Sequence, residues 1–169
     1  APPFCGVEVD GQSVCVGAGA KLVHLVSAAV EVGLSGLEDL VGVPGTVGGG
    51  LVGNAAAHGC NLGQRVHSVT VMLPDGSTED RIRDDIAFAS GWSSLDGVIV
   101  LAARFDLDED DPERLTKRMQ RQWIVERSEQ PSGTRSVAMM FKDPVVTTAE
   151  SLIAQAGCRD LCIGCASIY

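Results

Sequence analysis

One stretch of the chain, LEDLVGVPGTVGGGLVGNAAAHG at residues 37–59, limits the fold more than any other. It holds seven glycines and only three side chains that ionise near neutral pH, Glu38, Asp39 and His58. Glycine lacks a Cβ, so the backbone can approach a ligand closely and can turn successive N–H groups toward an anion. The string GVPGTVGGG at 42–50, followed by a helix-like LVGNAAAHG, predicts either a cradle for a phosphate-bearing cofactor at a helix N-terminus or a tight structural loop packed under a sheet.

Motif spacing and charge exclude several other functions. The glycines match neither the GxGxxG dinucleotide fingerprint nor the GxxxxGK[ST] P-loop. A formal net charge of −9 and a pI near 4.7 repel polyanions, so nucleic acid is not an expected partner. No run approaches the roughly 20 apolar residues of a membrane span, and the first residues, APPFCGVEVD, lack the parts of a secretory signal. We therefore expect a cytoplasmic protein without a membrane segment.

The pattern of apolar residues predicts an α+β fold. Residues 7–16 alternate around Asp10-Gly11 and predict a hairpin. Apolar positions at helical spacing in AGAKLVHLVSAAVEVGL predict a helix that ends at Gly33. Residues 66–73 predict a strand followed by a Pro-Asp-Gly turn and a second extended stretch.

The second half of the chain adds one strand and two helices. GVIVLAARFDL predicts a strand whose apolar start is buried on both faces. Acidic residues precede basic ones in DEDDPERLTKRMQRQWIVERSEQP, which predicts a helix over 111–128. TTAESLIAQAG predicts a last helix with a threonine cap, closed by Gly157.

The string GLSGLEDLVGVPGTVGGGLVGNAAAHG closely resembles the second flavin-binding subdomain of the UDP-N-acetylenolpyruvoylglucosamine reductase family, whose pattern is roughly G-[IV]-P-G-[ST]-V-G-G-A-x-x-x-N-A-G-A-Y-G. The resemblance continues in order through ARFDL, MQRQW, RSEQP, FKDP, LIAQAG and IGCAS, and so covers nearly the whole chain. It implies a second FAD-binding subdomain of the MurB type over 1–110. Residues 111–169 would then form a linker helix and part of a C-terminal substrate-binding domain.

The resemblance also implies cofactors and site residues. The family uses NADPH to reduce FAD, which passes a hydride to the enolpyruvyl double bond of UDP-GlcNAc-enolpyruvate in cell-wall precursor synthesis. Carried over residue by residue, the FAD contacts are Val43, Pro44, Gly45, Thr46, Val47, Gly48 and Gly49, with Asn54 and His58 nearby. The UDP-sugar would meet Lys142 and Asp143. No metal is implied.

Several departures from the family pattern fall on the chemistry. FASGWSSL replaces the family's Y-R-x-S element, so Gly91 stands at the catalytic arginine. AMMFKDP places Met139 at the proton-donating serine, and a thioether has no proton to give. Asp143 replaces an asparagine, and its carboxylate would repel a diphosphate unless Lys142 compensates. We therefore expect a catalytically impaired reductase.

Two alternatives stay open at this point. The family's first FAD subdomain and its C-terminal end have no counterpart in this chain, so the fold could survive as a non-catalytic binding module. A second copy or a partner would then cover the apolar face that the first subdomain would otherwise bury. A thiol or metal protein could use Cys158, Cys162 and Cys165, although a structural zinc site needs a fourth ligand and no histidine follows Cys165.

Overall fold

The computed structural model describes residues 4–129, 141 and 143–168. The chain divides into two compact units, Ala1–Arg127 and Ser128–Tyr169. The predicted division at residue 110, which concerns cofactor- and substrate-binding subdomains, stays a prediction.

The elements of the described residues follow in chain order. The strands are β1 (Val7–Asp10), β2 (Ser13–Gly17), β3 (Leu34–Ser35), β4 (Ala56–Ala57), β5 (Cys60–Asn61), β6 (Val66–Met72), β7 (Thr78–Ile82), β8 (Phe88–Ala89), β9 (Trp92–Ser93), β10 (Ile99–Asp106), β11 (Asp108–Glu109), β12 (Cys162–Ile163) and β13 (Ala166–Ser167). The helices are α1 (Leu22–Glu31), α2 (Val47–Val52), α3 (Leu62–Arg65), α4 (Pro112–Glu129) and α5 (Ala149–Gln155), with 3-10 turns at Glu38–Leu40 and Arg83–Asp85.

A five-stranded antiparallel sheet in the order β1-β2-β10-β6-β7 organises the first unit. Val14 pairs with Phe105 across β2 and β10, and both side chains are fully buried. Their neighbours Ser13 and Arg104 alternate with them and form a polar network with Asp106 on the other face. One face of this part of the sheet is therefore packed and the other solvated, as is common for antiparallel sheets.

The core of the first unit forms between the sheet and α1. The apolar face of α1 is buried along its whole length through Leu22, Leu25, Val26, Ala29 and Val30. These residues share one cluster with Phe105 of the sheet and with Leu51 of α2. The glycine-rich stretch is thus fixed to the core at both ends, because Leu37 before the loop and Leu51 after it are each fully buried.

The structure confirms the α+β class and most predicted elements. The hairpin of residues 7–16 forms as β1 and β2, with Gly11 at φ +57° in its turn. Helix α1 is followed by Gly33 at φ +78°, as expected for a C-terminal glycine. The helix predicted over 111–128 forms at Pro112–Glu129.

Two expectations were wrong in detail. The apolar start of β10 is not buried on both faces, because Ile99 is 57% exposed and the first residues of this strand border an open groove. The helix expected after the glycines begins inside them, at Val47, and ends at Val52. Capping by Thr46 and backbone bonds to the core outweigh the low helix propensity of glycine here.

The second unit contains α5 and the β12–β13 hairpin. The Thr148 hydroxyl accepts a bond from the Ser151 N–H at 3.2 Å, which confirms the predicted threonine cap, and Gly157 follows at φ +69°. No side chain of α5 is buried. Across the described residues, no helix combines the length and apolarity needed to cross a bilayer.

Candidate cofactor site

The glycine loop, residues 42–46, leaves the core through the buried 3-10 turn Glu38–Leu40. The Val43 N–H donates to the Leu40 carbonyl at 3.2 Å, and the Leu22 N–H donates to the Gly45 carbonyl at 3.1 Å. Gly45 has φ +113°, and a Cβ built there meets no atom within 4 Å. Backbone conformation, rather than crowding, therefore requires glycine at position 45.

Two adjacent amides of the glycine loop, those of Gly45 and Thr46, remain available to a ligand. Lys21 and Thr46 form an isolated antiparallel bridge, flanked by the Leu22 bond to Gly45 and by a 2.9 Å bond from the Val47 N–H to the Ala20 carbonyl. In a non-hydrogen-bonded antiparallel pair of this kind, the backbone N–H and C=O of Thr46 point away from Lys21. Within the described part of the chain, the N–H groups of Gly45 and Thr46 have no hydrogen-bond acceptor.

The next amides are used inside the protein. The Gly48 N–H donates to the Ala18 carbonyl at 2.9 Å, and the Gly49 N–H donates to the Thr46 hydroxyl at 3.3 Å. Val47 is fully buried in the core. A Cβ on Gly48 would lie 2.9 Å from the Cβ of Ala18, so glycine here permits close packing of α2 on the end of β2. Val47 and Gly48 therefore hold the loop in place.

Two grooves open on either side of Thr46. The loop groove has a volume of about 470 Å³ and is lined by Lys21, Val23, Val41, Gly42, Val43, Pro44, Gly45, Thr46 and Trp123. The strand groove has about 380 Å³ and is lined by Ala18, Gly19, Thr46, Gly48, Gly49, Val52, Val98, Ile99 and Val100. The predicted cofactor residues from 43 to 49, apart from the buried Val47, thus lie along two connected surfaces that share Thr46.

Asn54 links this region to the rest of the unit. It has φ +45° and is 7% exposed. Its Oδ1 accepts a bond from the Gly63 N–H at 3.1 Å, and its Nδ2 donates to the Ala89 carbonyl at 2.9 Å. Asn54 thereby fixes the β8–β9 hairpin relative to α2, and its predicted role in cofactor binding stays a prediction.

Gly91, predicted to stand at the family's arginine, lies in the exposed turn of the β8–β9 hairpin. Gly91 has φ +69°, and a Cβ there would meet no atom within 4 Å. The neighbouring Ser93 is fully buried, and its hydroxyl donates to the Val52 carbonyl at 3.0 Å. Ser93, predicted to match the serine of the family's element, therefore anchors the hairpin to the end of α2, while the turn itself carries no cation.

His58 lies in a different cavity from the glycine loop. This acidic pocket, of about 300 Å³, is lined by Ser35, Gly36, Glu38, Asp39, His58, Gly59, Cys60, Gln64, Arg65, Asp110 and Arg118. Burial is the largest influence on the Cys60 thiol and raises its pKa, and the thiol donates to the Gly36 carbonyl at 3.2 Å. His58 does not share a groove with Val43 or Thr46, so its predicted FAD contact is not supported by this geometry and stays a prediction.

Asp143, one of the two predicted substrate residues, lies in the second unit. Asp143 is exposed, and its Oδ1 accepts a bond from the Ala149 N–H at 2.8 Å at the start of α5. The carboxylate thus accepts a hydrogen bond from the backbone at the N-terminus of the helix that follows it. Lys142 and Met139 lie outside the described residues.

The C-terminal cysteines show no shared arrangement in the described residues. The Cys158 thiol donates to the Ala156 carbonyl at 3.5 Å, and the Cys162 thiol donates to the Asp160 carbonyl at 3.6 Å. No group of three or more His, Cys, Asp or Glu that could hold a metal ion is found in the described part of the chain. Nothing in this geometry favours the thiol or metal alternative.

Sequence reasoning missed Trp123 and the acidic pair of residues 38 and 39. Trp123 comes from α4 but lines the loop groove, and it is 46% exposed. Glu38 and Asp39 are 2% and 8% exposed. Two acids enclosed by leucines in GLEDLVG are a signal for a buried, paired charge, but the sequence does not reveal the distant partner.

Comparison with known proteins agrees with the resemblance. A family model described as "FAD binding domain" matches residues 4–80. The UDP-N-acetylenolpyruvoylglucosamine reductase of Rhodopirellula baltica is 41% identical over 157 residues, which are 93% of this chain and 52% of that protein. The reductase of the same name from Halalkalibacterium halodurans is 36% identical over 165 residues, or 96% of this chain and 54% of that protein.

A solved structure agrees at the level of the fold. The UDP-N-acetylenolpyruvylglucosamine reductase (MurB) of Thermus caldophilus superposes with a TM-score of 0.84 at 33% identity, covering 99% of this chain and 61% of that one. The chain spans about half the length of the curated relatives it matches. Over that span its sequence and its fold resemble those of the UDP-N-acetylenolpyruvoylglucosamine reductase family.

Proposed function

We propose that this chain supplies an FAD-binding part of a UDP-N-acetylenolpyruvoylglucosamine reductase of peptidoglycan precursor synthesis. The observation that carries the proposal is the exposed glycine loop, whose N–H groups at Gly45 and Thr46 are unused in the described part of the chain and border two grooves. The matching FAD-binding family model covers this same loop.

The residues present fit a flavin cofactor. Val43 and Pro44 offer apolar surface on the loop groove, and the two main-chain N–H groups can donate to a pyrophosphate or a ring carbonyl. A side chain at residue 45 would project into the open space that the ligand needs. When bound, FAD would accept a hydride from NADPH and supply one to the enolpyruvyl group of the UDP-sugar.

We further propose that the substrate step is impaired in this chain. Gly91 carries no charge at the place where the family pattern has an arginine, so no cation from this turn can polarise the substrate. Nothing at Gly91 alters the glycine loop itself. Flavin binding and flavin reduction are therefore expected to survive better than turnover of the UDP-sugar.

The first test is the visible absorption spectrum of the purified chain after incubation with FAD and desalting. We expect a retained flavin band that is weakened by Gly45→Ala. Gly76→Ala is the matched control, because Gly76 also has a positive φ, +84°, and an open Cβ position, but lies in the β6–β7 turn. A colourless protein, or equal loss in both variants, would contradict the proposal.

The second test separates flavin reduction from substrate turnover. NADPH oxidation by the flavin-loaded chain is followed with oxygen as acceptor and then, under anaerobic conditions, with UDP-GlcNAc-enolpyruvate. We expect NADPH to bleach the flavin band and the UDP-sugar to reoxidise it slowly. Rapid stoichiometric reoxidation would show that the loss of arginine at position 91 does not impair the reaction.

Location and assembly belong to the same proposal. The relatives are named for the reduction of a UDP-sugar. This is consistent with the cytoplasmic location expected from the sequence. A second copy or a partner over the exposed face stays a prediction, and sedimentation of the flavin-loaded chain at several concentrations tests it.

A further inference from the structure

Trp123 occupies a place in the loop groove that the family pattern does not assign. It is one of two tryptophans in the chain, and it lies on α4, about 80 residues after the glycine loop. It lines the loop groove together with the residues of the glycine loop, 42–46. Roughly half of the Trp123 side chain, 46%, is accessible to solvent.

The part of α4 that precedes Trp123 is held by an ion pair through Arg118. Arg118 Nη1 lies 3.0 Å from Glu38 Oε1, and Arg118 Nε donates to Asp39 Oδ1 at 3.1 Å. Gln122, next to Trp123, donates to the same Asp39 oxygen at 3.2 Å. These bonds join α4 to the 3-10 turn from which the glycine loop departs, so the tryptophan and the loop are held to one another.

The chemistry of the loop groove matches a flavin ring system. Most of its lining is apolar, through Val23, Val41, Val43, Pro44 and the indole, while Lys21 supplies one cation. An isoalloxazine has an apolar dimethylbenzene edge and a polar edge with two carbonyls, which suit the aliphatic part and the lysine, respectively. Aromatic rings also gain from offset stacking or edge contact with an indole.

We infer that Trp123 forms one wall of the site for the isoalloxazine ring, with Lys21 at the ring's carbonyl edge. This inference rests on the proposed function, because it takes the ligand of the glycine loop to be a flavin. It adds a side chain from outside the glycine-rich stretch to that site. It also commits the loop groove to the isoalloxazine rather than to the adenine end of FAD.

The test uses the two tryptophans as reporters. The chain is labelled with 5-fluorotryptophan, and its two fluorine resonances are assigned with the Trp92→Phe and Trp123→Phe variants. Trp92 is a matched control because it is 47% exposed but does not line the loop groove. Riboflavin, FAD and ADP are titrated separately, and their dissociation constants are measured for Trp123→Ala and Trp92→Ala.

We expect riboflavin and FAD to shift the Trp123 resonance and to leave the Trp92 resonance nearly unchanged. Trp123→Ala should weaken riboflavin binding about 3- to 10-fold, the range expected for loss of an aromatic contact, while Trp92→Ala should have little effect. ADP should leave the Trp123 resonance in place.

Other outcomes separate this inference from the proposed function. FAD that binds without moving the Trp123 resonance would overturn the inference and leave the proposed function standing. A Trp123 shift with ADP but not with riboflavin would assign the groove to adenine and overturn the inference as stated. No binding of any flavin would overturn both.

Discussion

Gly45 and Gly48 lie in the same glycine-rich stretch, but the protein uses them for opposite purposes. Gly45 is exposed, has φ +113° and has open space around its missing side chain. Gly48 is buried, and the Cβ of Ala18 would be only 2.9 Å from an added Cβ. A run of glycine in sequence is therefore not one feature, since one part faces open space and the next part packs against the core.

The largest effect on stability should come from adding a side chain at Gly48, the glycine that packs against the core. Gly48→Val forces α2 away from the end of β2, because both the Cβ and the carbonyl of Ala18 stand in the way. We expect a loss of about 3 kcal/mol in the free energy of unfolding, measured by urea denaturation. Gly49→Val is the control, since its Cβ meets only the Thr46 hydroxyl, at 3.5 Å. Equal losses in the two variants would show that the close packing at Ala18 does not matter.

A smaller effect on stability should follow from breaking the ion pair that holds the 3-10 turn before the glycine loop. Arg118→Ala removes the cation from Glu38, whose side chain is 2% exposed, and from Asp39. Loss of one partner of a buried ion pair costs several kcal/mol. Because the Arg118 side chain is 55% exposed, water can solvate part of the carboxylates that it leaves. We therefore expect the free energy of unfolding to fall by about 2 kcal/mol.

Arg118→Lys serves as its control, because lysine keeps the charge but loses the paired geometry of the guanidinium. It should recover part of the stability lost by Arg118→Ala. If both variants unfold at the wild-type urea midpoint, the ion pair does not hold α4 to the glycine loop.

Gly45→Ala should lower the free energy of unfolding less than Arg118→Ala does, but it should weaken flavin binding. An L-residue at φ +113° is strained by about 1 to 2 kcal/mol, although no atom obstructs the new Cβ. The flavin dissociation constant should rise by more than this strain alone predicts, because the methyl group adds bulk to the lining of the proposed flavin site. Titration of FAD beside urea denaturation checks this, and a binding loss no larger than that of Gly76→Ala would contradict it.

The smallest expected effect on stability is at Gly49. Gly49→Ala replaces a helical glycine that has ordinary contacts, so the free energy of unfolding should rise by about 0.5 kcal/mol or stay unchanged. Because Gly49 lines the strand groove, flavin binding should weaken in a protein that is no less stable. Unchanged flavin affinity would restrict the cofactor to the loop groove.

Local patterns were enough to predict much of the fold. The hairpin of β1 and β2 follows from alternation around Asp10-Gly11, and α1 follows from apolar spacing closed by Gly33. Each depends on contacts between residues close in sequence. The position of α2 could not be predicted in the same way, because bonds from Val47 and Gly48 to Ala20 and Ala18 select the helix start.

The candidate site was predicted less completely, for the same physical reason. Residues 43–49 were predicted from the family resemblance, while the glycine content alone predicted only a cofactor cradle or a structural loop. The pairing of Arg118 with Glu38 and Asp39 and the placement of Trp123 depend on a helix that returns from about 80 residues away. Asn54 stays a predicted cofactor residue, and its bonds to Gly63 and Ala89 hold parts of the protein to one another.

The turn at Gly91 sets a stability cost for testing the proposed impairment by mutation. Its left-handed backbone, at φ +69°, would cost an arginine roughly 1 kcal/mol or more. A Gly91→Arg variant thus begins as a less stable protein, whatever it gains in turnover of the UDP-sugar. Substitutions that relax the β8–β9 turn would lower this cost, so the hairpin and the side chain at position 91 are best varied together.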